Sequence, residues 1–117
     1  MDEKEKEFAY RMYAQRANEL KQQVQSIQHL IAECDSTEKA IDGLGDNALF
    51  SLGSGVLVRA SPEKGKVLAE CGRGVLVEKT RAEATEFLTE KRKRLEEALI
   101  RVQDALDETV KGAQSLQ

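Results

Sequence analysis

Apolar residues recur at alternating steps of three and four along both ends of this chain, and that repeat leaves few folds open. With heptad position a at Tyr10, Ala17, Val24, Ile31 and Glu38, position d falls at Tyr13, Leu20, Ile27, Cys34 and Ile41. A second run has d at Leu88, Leu95, Val102, Thr109 and Leu116, with a at Thr85, Arg92, Leu99, Leu106 and Ala113. A stripe of this kind hides only against another helix. The chain therefore reads as two long helices, about 3–42 and 81–116, with a different kind of segment between them. Glu38 and Arg92 are the faults in the two seams.

Antiparallel coiled coils set a of one helix against d of the other. In the register whose paired numbers sum to 126, Ile31 stacks on Leu95, Ile27 on Leu99, Val24 on Val102 and Leu20 on Leu106. The same register places Tyr10 by Leu116 and Tyr13 by Ala113. A shift of one heptad puts Ile27 opposite Arg92, which is worse. Asp42-Gly43 is expected to end the first helix, with Gly43 in the left-handed conformation that closes many helices. Thr80-Arg81-Ala82-Glu83 has the form of a capping box and starts the second. The competing arrangement is a compact bundle with both helices folded over the middle. The middle is too short and too strand-like to cover such helices.

Between residues 47 and 79 the pattern changes to short apolar or alternating runs at 48–52, 56–60, 67–71 and 75–79. Gly53-Ser54-Gly55, Ser61-Pro62-Glu63-Lys64-Gly65 and Gly72-Arg73-Gly74 separate them. Glycine admits positive φ in such turns and Pro62 presets a turn's second residue, so these runs read as two β-hairpins. Val56 and Val58 share one face, with Leu57 and Arg59 on the other; Val75 and Val77 likewise oppose Leu76 and Glu78. One face is apolar and the other half apolar. Four five-residue strands leave unpaired edges and little buried area. No helix is left to cover them if the helices pair with each other, so the sheet is expected to complete itself with other subunits. The fold class is thus α+β: a long antiparallel two-helix coiled coil with two central β-hairpins that form an oligomeric β-barrel body, in a single domain over 1–117.

Composition narrows the function. Charged residues make up 33% and aromatics 4%, too few for a large globular core. The net charge of −3 is small and both signs are mixed, so charge names no partner. No apolar run reaches membrane-spanning length, and Met-Asp-Glu-Lys-Glu-Lys-Glu is unlike a signal peptide, so a cytoplasmic protein is expected. Cys34 and Cys71 are far apart with no Cys-x-x-Cys; reduced thiols are the expectation, with a disulfide or metal site the alternative.

Gly43-Leu44-Gly45-Asp46-Asn47-Ala48 resembles a dinucleotide fingerprint only formally, because strand and helix stand in the wrong order around it. His29 falls on an outward position with no metal or catalytic companion. Lys91-Arg92-Lys93-Arg94 is flanked by Glu90, Glu96 and Glu97 and reads as a solvated helix face rather than a nucleic-acid patch. No enclosed acid–base pair is implied, so neither enzyme activity, nor a metal, nor a cofactor is expected. One feature remains: three of the five aromatics, Phe8, Tyr10 and Tyr13, lie within the first 13 residues. Phe8 and Met12 fall off the seam, one helical turn apart. Exposed apolar groups there suit a binding contact, and Met adapts to varied surfaces. Capping of the coiled-coil end is the other use for them. Ile100 and Val110 are the comparable residues of the second helix.

The stretch Leu49-Phe50-Ser51-Leu52-Gly53-Ser54-Gly55-Val56-Leu57-Val58 resembles the first hairpin of alpha-type subunits of the prefoldin family. Glu70-Cys71-Gly72-Arg73-Gly74-Val75-Leu76-Val77-Glu78-Lys79 resembles the second, and Ala82-Glu83-Ala84-Thr85-Glu86-Phe87-Leu88 looks like the entry to that family's second helix. The resemblance spans essentially the whole chain. It implies an ATP-independent co-chaperone subunit of a hetero-hexamer, two alpha-type with four beta-type subunits. Coiled-coil tips would capture unfolded client polypeptides and deliver them to a group II chaperonin. On that reading Phe50, Leu52, Val56, Val58, Val67, Val75 and Val77 are oligomerisation residues. Phe8, Met12, Tyr13 and Leu116 are the nearest matches to tip residues. The alternative is a homo-oligomeric, filament-forming structural protein with no client handover.

Overall fold

The computed structural model describes residues 2–63 and 65–117; Lys64, inside the turn expected at 61–65, and Met1 lie outside the described residues. The elements are α1 (Glu3–Asp42), β1 (Ala48–Gly53), β2 (Val56–Ala60), β3 (Lys66–Glu70), β4 (Leu76–Thr80) and α2 (Arg81–Gln114). They gather into two compact units, Met1–Glu33 with Arg92–Gln117, and Cys34–Lys91.

The first unit is a helix pair. Asp2 caps α1, its Oδ1 accepting from the Glu5 amide at 2.8 Å, and Glu3 and Glu5 complement the positive end of the helix. Shielding follows the heptads. Ala17, Leu20, Val24, Ile27 and Ile31 are shielded on α1, and Arg92, Leu95, Leu99, Val102, Leu106, Thr109 and Ala113 on α2. Leu20 is the most deeply buried, at 2% exposure. Ala98, Ala105 and Gly112 extend the α2 face beside the seam and are half-buried too. At Gly112 the helices come so close that a Cβ would lie 2.7 Å from Cε1 of Tyr13, so the tyrosine ring occupies the space a side chain would need. Arg92 stays half-buried in its seam position while its Nε reaches Glu96 at 3.8 Å. Its aliphatic stem fills the layer and its charge is carried outward.

The second unit holds the end of α1, both hairpins and the start of α2. Glu38, the other fault, is half-buried and accepts a hydrogen bond from the Thr89 hydroxyl at 3.3 Å, and so has a cross-helix partner. Cys34, Ile41, Ala84 and Leu88 form the buried layer. Gly43 does not adopt the expected left-handed conformation. Its amide still reaches the Lys39 carbonyl at 3.0 Å, and the Leu44 amide bonds the Ile41 carbonyl at 3.2 Å. The helix therefore ends by tightening its last turn rather than by reversing φ. The Arg81 guanidinium then donates to the Leu44 carbonyl at 3.0 Å, tying the loop after α1 to the first residue of α2.

The capping box forms as expected. The Glu83 amide donates to Thr80 Oγ1 at 3.1 Å and the Thr80 amide donates to Glu83 Oε1 at 2.9 Å. The backbone bond from Thr80, then the contact with its side chain, hold the Glu83 carboxyl below its ordinary pKa; Lys79 adds a smaller pull against slight desolvation.

Each hairpin is a separate two-stranded antiparallel sheet. The oligomeric barrel body expected above is not formed within the chain, and both sheets are open. The glycine-rich turns run through three consecutive residues with positive φ: Gly53, Ser54 and Gly55 in one, Gly72, Arg73 and Gly74 in the other. Glycine on either side lets Ser54 and Arg73 hold a conformation they would not choose alone. β3 and β4 each begin or end one residue away from the expected runs, because the Cys71 amide bonds the Val75 carbonyl at 3.0 Å and commits both residues to the turn. One further expectation is corrected. The second hairpin is partly covered by its own chain: Val67 and Ala69 of β3 share a pocket with Ile41, Ala84, Phe87 and Leu88, and Ala69 is buried. Lys79, on the same face, lies 5.8 Å from the centre of the Phe87 ring.

Candidate functional site

Most of the exposed large apolar residues gather on two surfaces. The first is the end of the helix pair. Phe8 and Met12 are 65% and 52% exposed, off the seam and one turn apart on α1. Tyr13 and Leu116 belong to a different environment. Tyr13 packs its ring on Gly112 and lines a groove with Tyr10, Ala17, Thr109 and Ala113. Leu116 is half-buried and shares a recess with Glu3, Lys6, Tyr10 and Gln117. The four expected tip residues thus divide into Phe8 and Met12, which are off the seam, and Tyr13 and Leu116, which pack at the helix end, Tyr13 with 37% of its surface still exposed. Tyr10, read in the sequence as one of the three clustered aromatics and as a seam residue, is exposed and joins both hollows. The signal for it was its place in the terminal layer, which has no further layer to cover it.

The second surface is the hairpins. Phe50 pairs with Val58 across the first, and both are exposed with Val56 and Leu52 nearby. Val75 and Val77 are exposed on the second, while Val67 is the half-buried residue against the helices. Four leucines not named among the expected assembly residues are exposed as well: Leu49, Leu57, Leu68 and Leu76. Their signal was present in the strands as the residues alternating with Phe50, Val58, Val67 and Val77. Both faces of the first hairpin therefore expose large apolar residues, one of them alongside Ser51 and Arg59.

Among the described residues no cluster of His, Cys, Asp or Glu could hold a metal ion. Cys34 and Cys71 are free thiols, one buried and one exposed. His29 is on the surface with its Nε2 3.2 Å from Glu33. No helix is long and apolar enough to cross a membrane, among the described residues.

Paired helices joined through two hairpins are the setting in which comparison with known proteins becomes informative. The prefoldin subunit family model matches residues 7–117. The chain belongs to the prefoldin subunit family. The prefoldin subunit alpha of Thermofilum pendens is 36% identical over 107 residues, covering 86% of this chain and 83% of that one. That of Methanococcoides burtonii is 29% identical over 103 residues, covering 83% and 75%. A filamentous PFD from Methanocaldococcus jannaschii, solved by cryo-EM, has the same fold: its TM-score is 0.81 at 22% identity, over 94% of this chain and 96% of that one. Prefoldin is a family of chaperones rather than enzymes, and its subunits work in assemblies with other prefoldin subunits. Two open antiparallel hairpins between long helices fit that membership.

Proposed function

We propose that this chain is the alpha-type subunit of an ATP-independent co-chaperone that works in the cytosol. It holds unfolded polypeptides at the end of its helix pair and passes them to a group II chaperonin. Two copies assemble with four beta-type subunits. The observation that carries this reading is the exposed pair Phe8 and Met12, off a seam whose apolar residues from Ala17 to Ile31 are shielded. Each such contact is small and, at about 25 cal/mol per Å², weak on its own. Several helix ends acting together raise the effective affinity while each single contact remains reversible. That combination suits capture followed by release.

The experiment is a client-aggregation assay on the assembled complex carrying Phe8→Ser and Met12→Ser. Suppression of aggregation should fall several-fold while the complex keeps its mass. Full suppression by the correctly assembled variant would remove the helix end from the client site. Adding Leu116→Ser should contribute less, because Leu116 is already half-buried.

A second reading is a homo-oligomeric filament without client handover. The resemblance in fold to a filamentous PFD and the apolar exposure on both faces of the first hairpin favour it. Mass measurement of the chain purified alone separates the two. Long, length-heterogeneous polymers support the filament; a small species that grows to one defined complex only with a second subunit type supports the co-chaperone.

A further inference from the structure

Asp42 is the only aspartate or asparagine in the chain that a glycine follows. An Asp-Gly bond carries a chemistry of its own. The Gly43 nitrogen attacks Cγ of Asp42, the new N–Cγ bond closes a five-membered succinimide, and the amide hydrogen leaves with the carboxyl hydroxyl as water. Solvent water then reopens the ring. Attack at Cγ breaks the new bond and restores aspartate. Attack at the former main-chain carbonyl carbon breaks its bond to the Gly43 nitrogen instead. The chain then runs through the β-carboxyl, with the α-carboxylate free. Closure releases one water and reopening takes one up, so the mass is unchanged. Glycine favours closure because no Cβ shields its nitrogen and its backbone turns freely.

The fold holds this bond away from closure. Asp42 is the last residue of α1, and both it and Gly43 are exposed. Closure needs the Gly43 nitrogen to eclipse Cβ of Asp42, which the helical ψ of about −42° does not allow. The nitrogen is also engaged, its N–H donating to the Lys39 carbonyl at 3.0 Å. The residue after it is fastened twice. The Leu44 amide donates to the Ile41 carbonyl at 3.2 Å, and the Leu44 carbonyl accepts from the Arg81 guanidinium at 3.0 Å. Helix ends open locally at far smaller cost than the whole molecule, so these few bonds set how often the site is released.

We propose that Asp42-Gly43 is a modification site of this chain, a succinimide-forming bond restrained by the last turn of α1 and by the Arg81–Leu44 hydrogen bond. It is spared while that turn is formed and isomerises when the turn opens. Isoaspartate adds one methylene group to the main chain between α1 and the first hairpin. The Gly43 amide and the Leu44 carbonyl are then out of step with Lys39 and Arg81, so the product keeps the helix end open. The site lies apart from Phe8 and Met12 and does not depend on the client-holding reading.

The test is incubation of the full chain at neutral pH and body temperature, with isoaspartate located by electron-transfer mass spectrometry. The tryptic peptide 40–59 carries the site together with Asp46 and Asn47. Conversion at Asp42 should run about tenfold or more faster in denaturant than in the folded chain. Arg81→Met, shown by circular dichroism to fold, should convert several-fold faster than the parent under native conditions; Arg81→Gln takes its place if the methionine variant does not fold. A denatured chain that forms no isoaspartate at Asp42 would overturn the proposal. So would a folded chain that converts as fast as the denatured one, or a folded Arg81 variant that converts no faster than the parent.

Discussion

The helix pair and the hairpins solve the same problem in opposite ways. Both are built from amphipathic segments. In the first unit the apolar stripe of each helix finds its complement within the chain, and even Arg92 keeps its place by sending its charge to Glu96. In the hairpins β3 reaches the helices through Val67 and Ala69, but Leu49, Phe50, Leu57, Leu76 and Val77 stay in water. A helix satisfies its own backbone, so two helices need only one shared seam. A two-stranded sheet leaves two edges and two faces to be covered, and one chain of this length cannot cover them all. The difference separates the part of this chain that covers its own apolar surface from the part that leaves it exposed.

The comparison breaks most readily under equal truncations in the two regions. Leu20→Ala should lower the stability of the purified chain by roughly 2–5 kcal/mol, read as a drop in Tm, because Leu20 is fully enclosed by the seam. Leu57→Ala, the same change on an exposed strand, should cost under about 0.5 kcal/mol. Equal losses at the two positions would mean that the hairpin is covered in the isolated chain.

A smaller effect sharpens the account of the seam. Gly112→Ala should stabilise a Tyr13→Ala chain by about 0.5–1 kcal/mol, since alanine is the better helix former. In the parent the same substitution should lose that gain, because the Tyr13 ring must swing away from the new methyl group. A double-mutant cycle by thermal unfolding measures the difference, and zero coupling would free Tyr13 from the helix contact.

The smallest effect concerns the join of β4 to α2. Thr80→Ala should cost about 1 kcal/mol and raise amide exchange in the first turn of α2. Glu83 has a folded pKa below its ordinary 4.5, so its contribution is complete above that value. It is lost as pH falls through the lowered folded value, where the carboxylate takes a proton and the bond to the Thr80 amide weakens. Acid unfolding followed by circular dichroism should show Glu83→Gln with a flatter pH dependence in that window. An unchanged profile would remove the capping box from the acid response.

Much of this was legible before the structure. Each heptad position from Ala17 to Ile31 proved shielded, and Ala17 and Thr109 line one groove together with Tyr13 and Ala113, as the register with Tyr13 by Ala113 requires. The hairpin turns and the Thr80–Glu83 cap were equally legible, because each is encoded by residues within a few positions of one another. Gly43 was misread because the glycine signal marks where a helix stops and leaves open how its last carbonyls are satisfied.

What the sequence determined by itself is periodic and local: two apolar seams, two glycine-framed turns, one capping box and the alternation along each strand. What the tertiary structure decided is which of several equivalent faces meets a neighbour. It seated Val67 and Ala69 against the helix ends and left Leu68 and Leu76 outside, and it turned Tyr13 onto Gly112 while Phe8 and Met12 stayed in water. The physical reason is that alternation gives every strand two candidate faces and every helix end several candidate side chains. Only the path of the intervening chain brings one of them within contact distance of a partner, and that path depends on residues far away in the sequence.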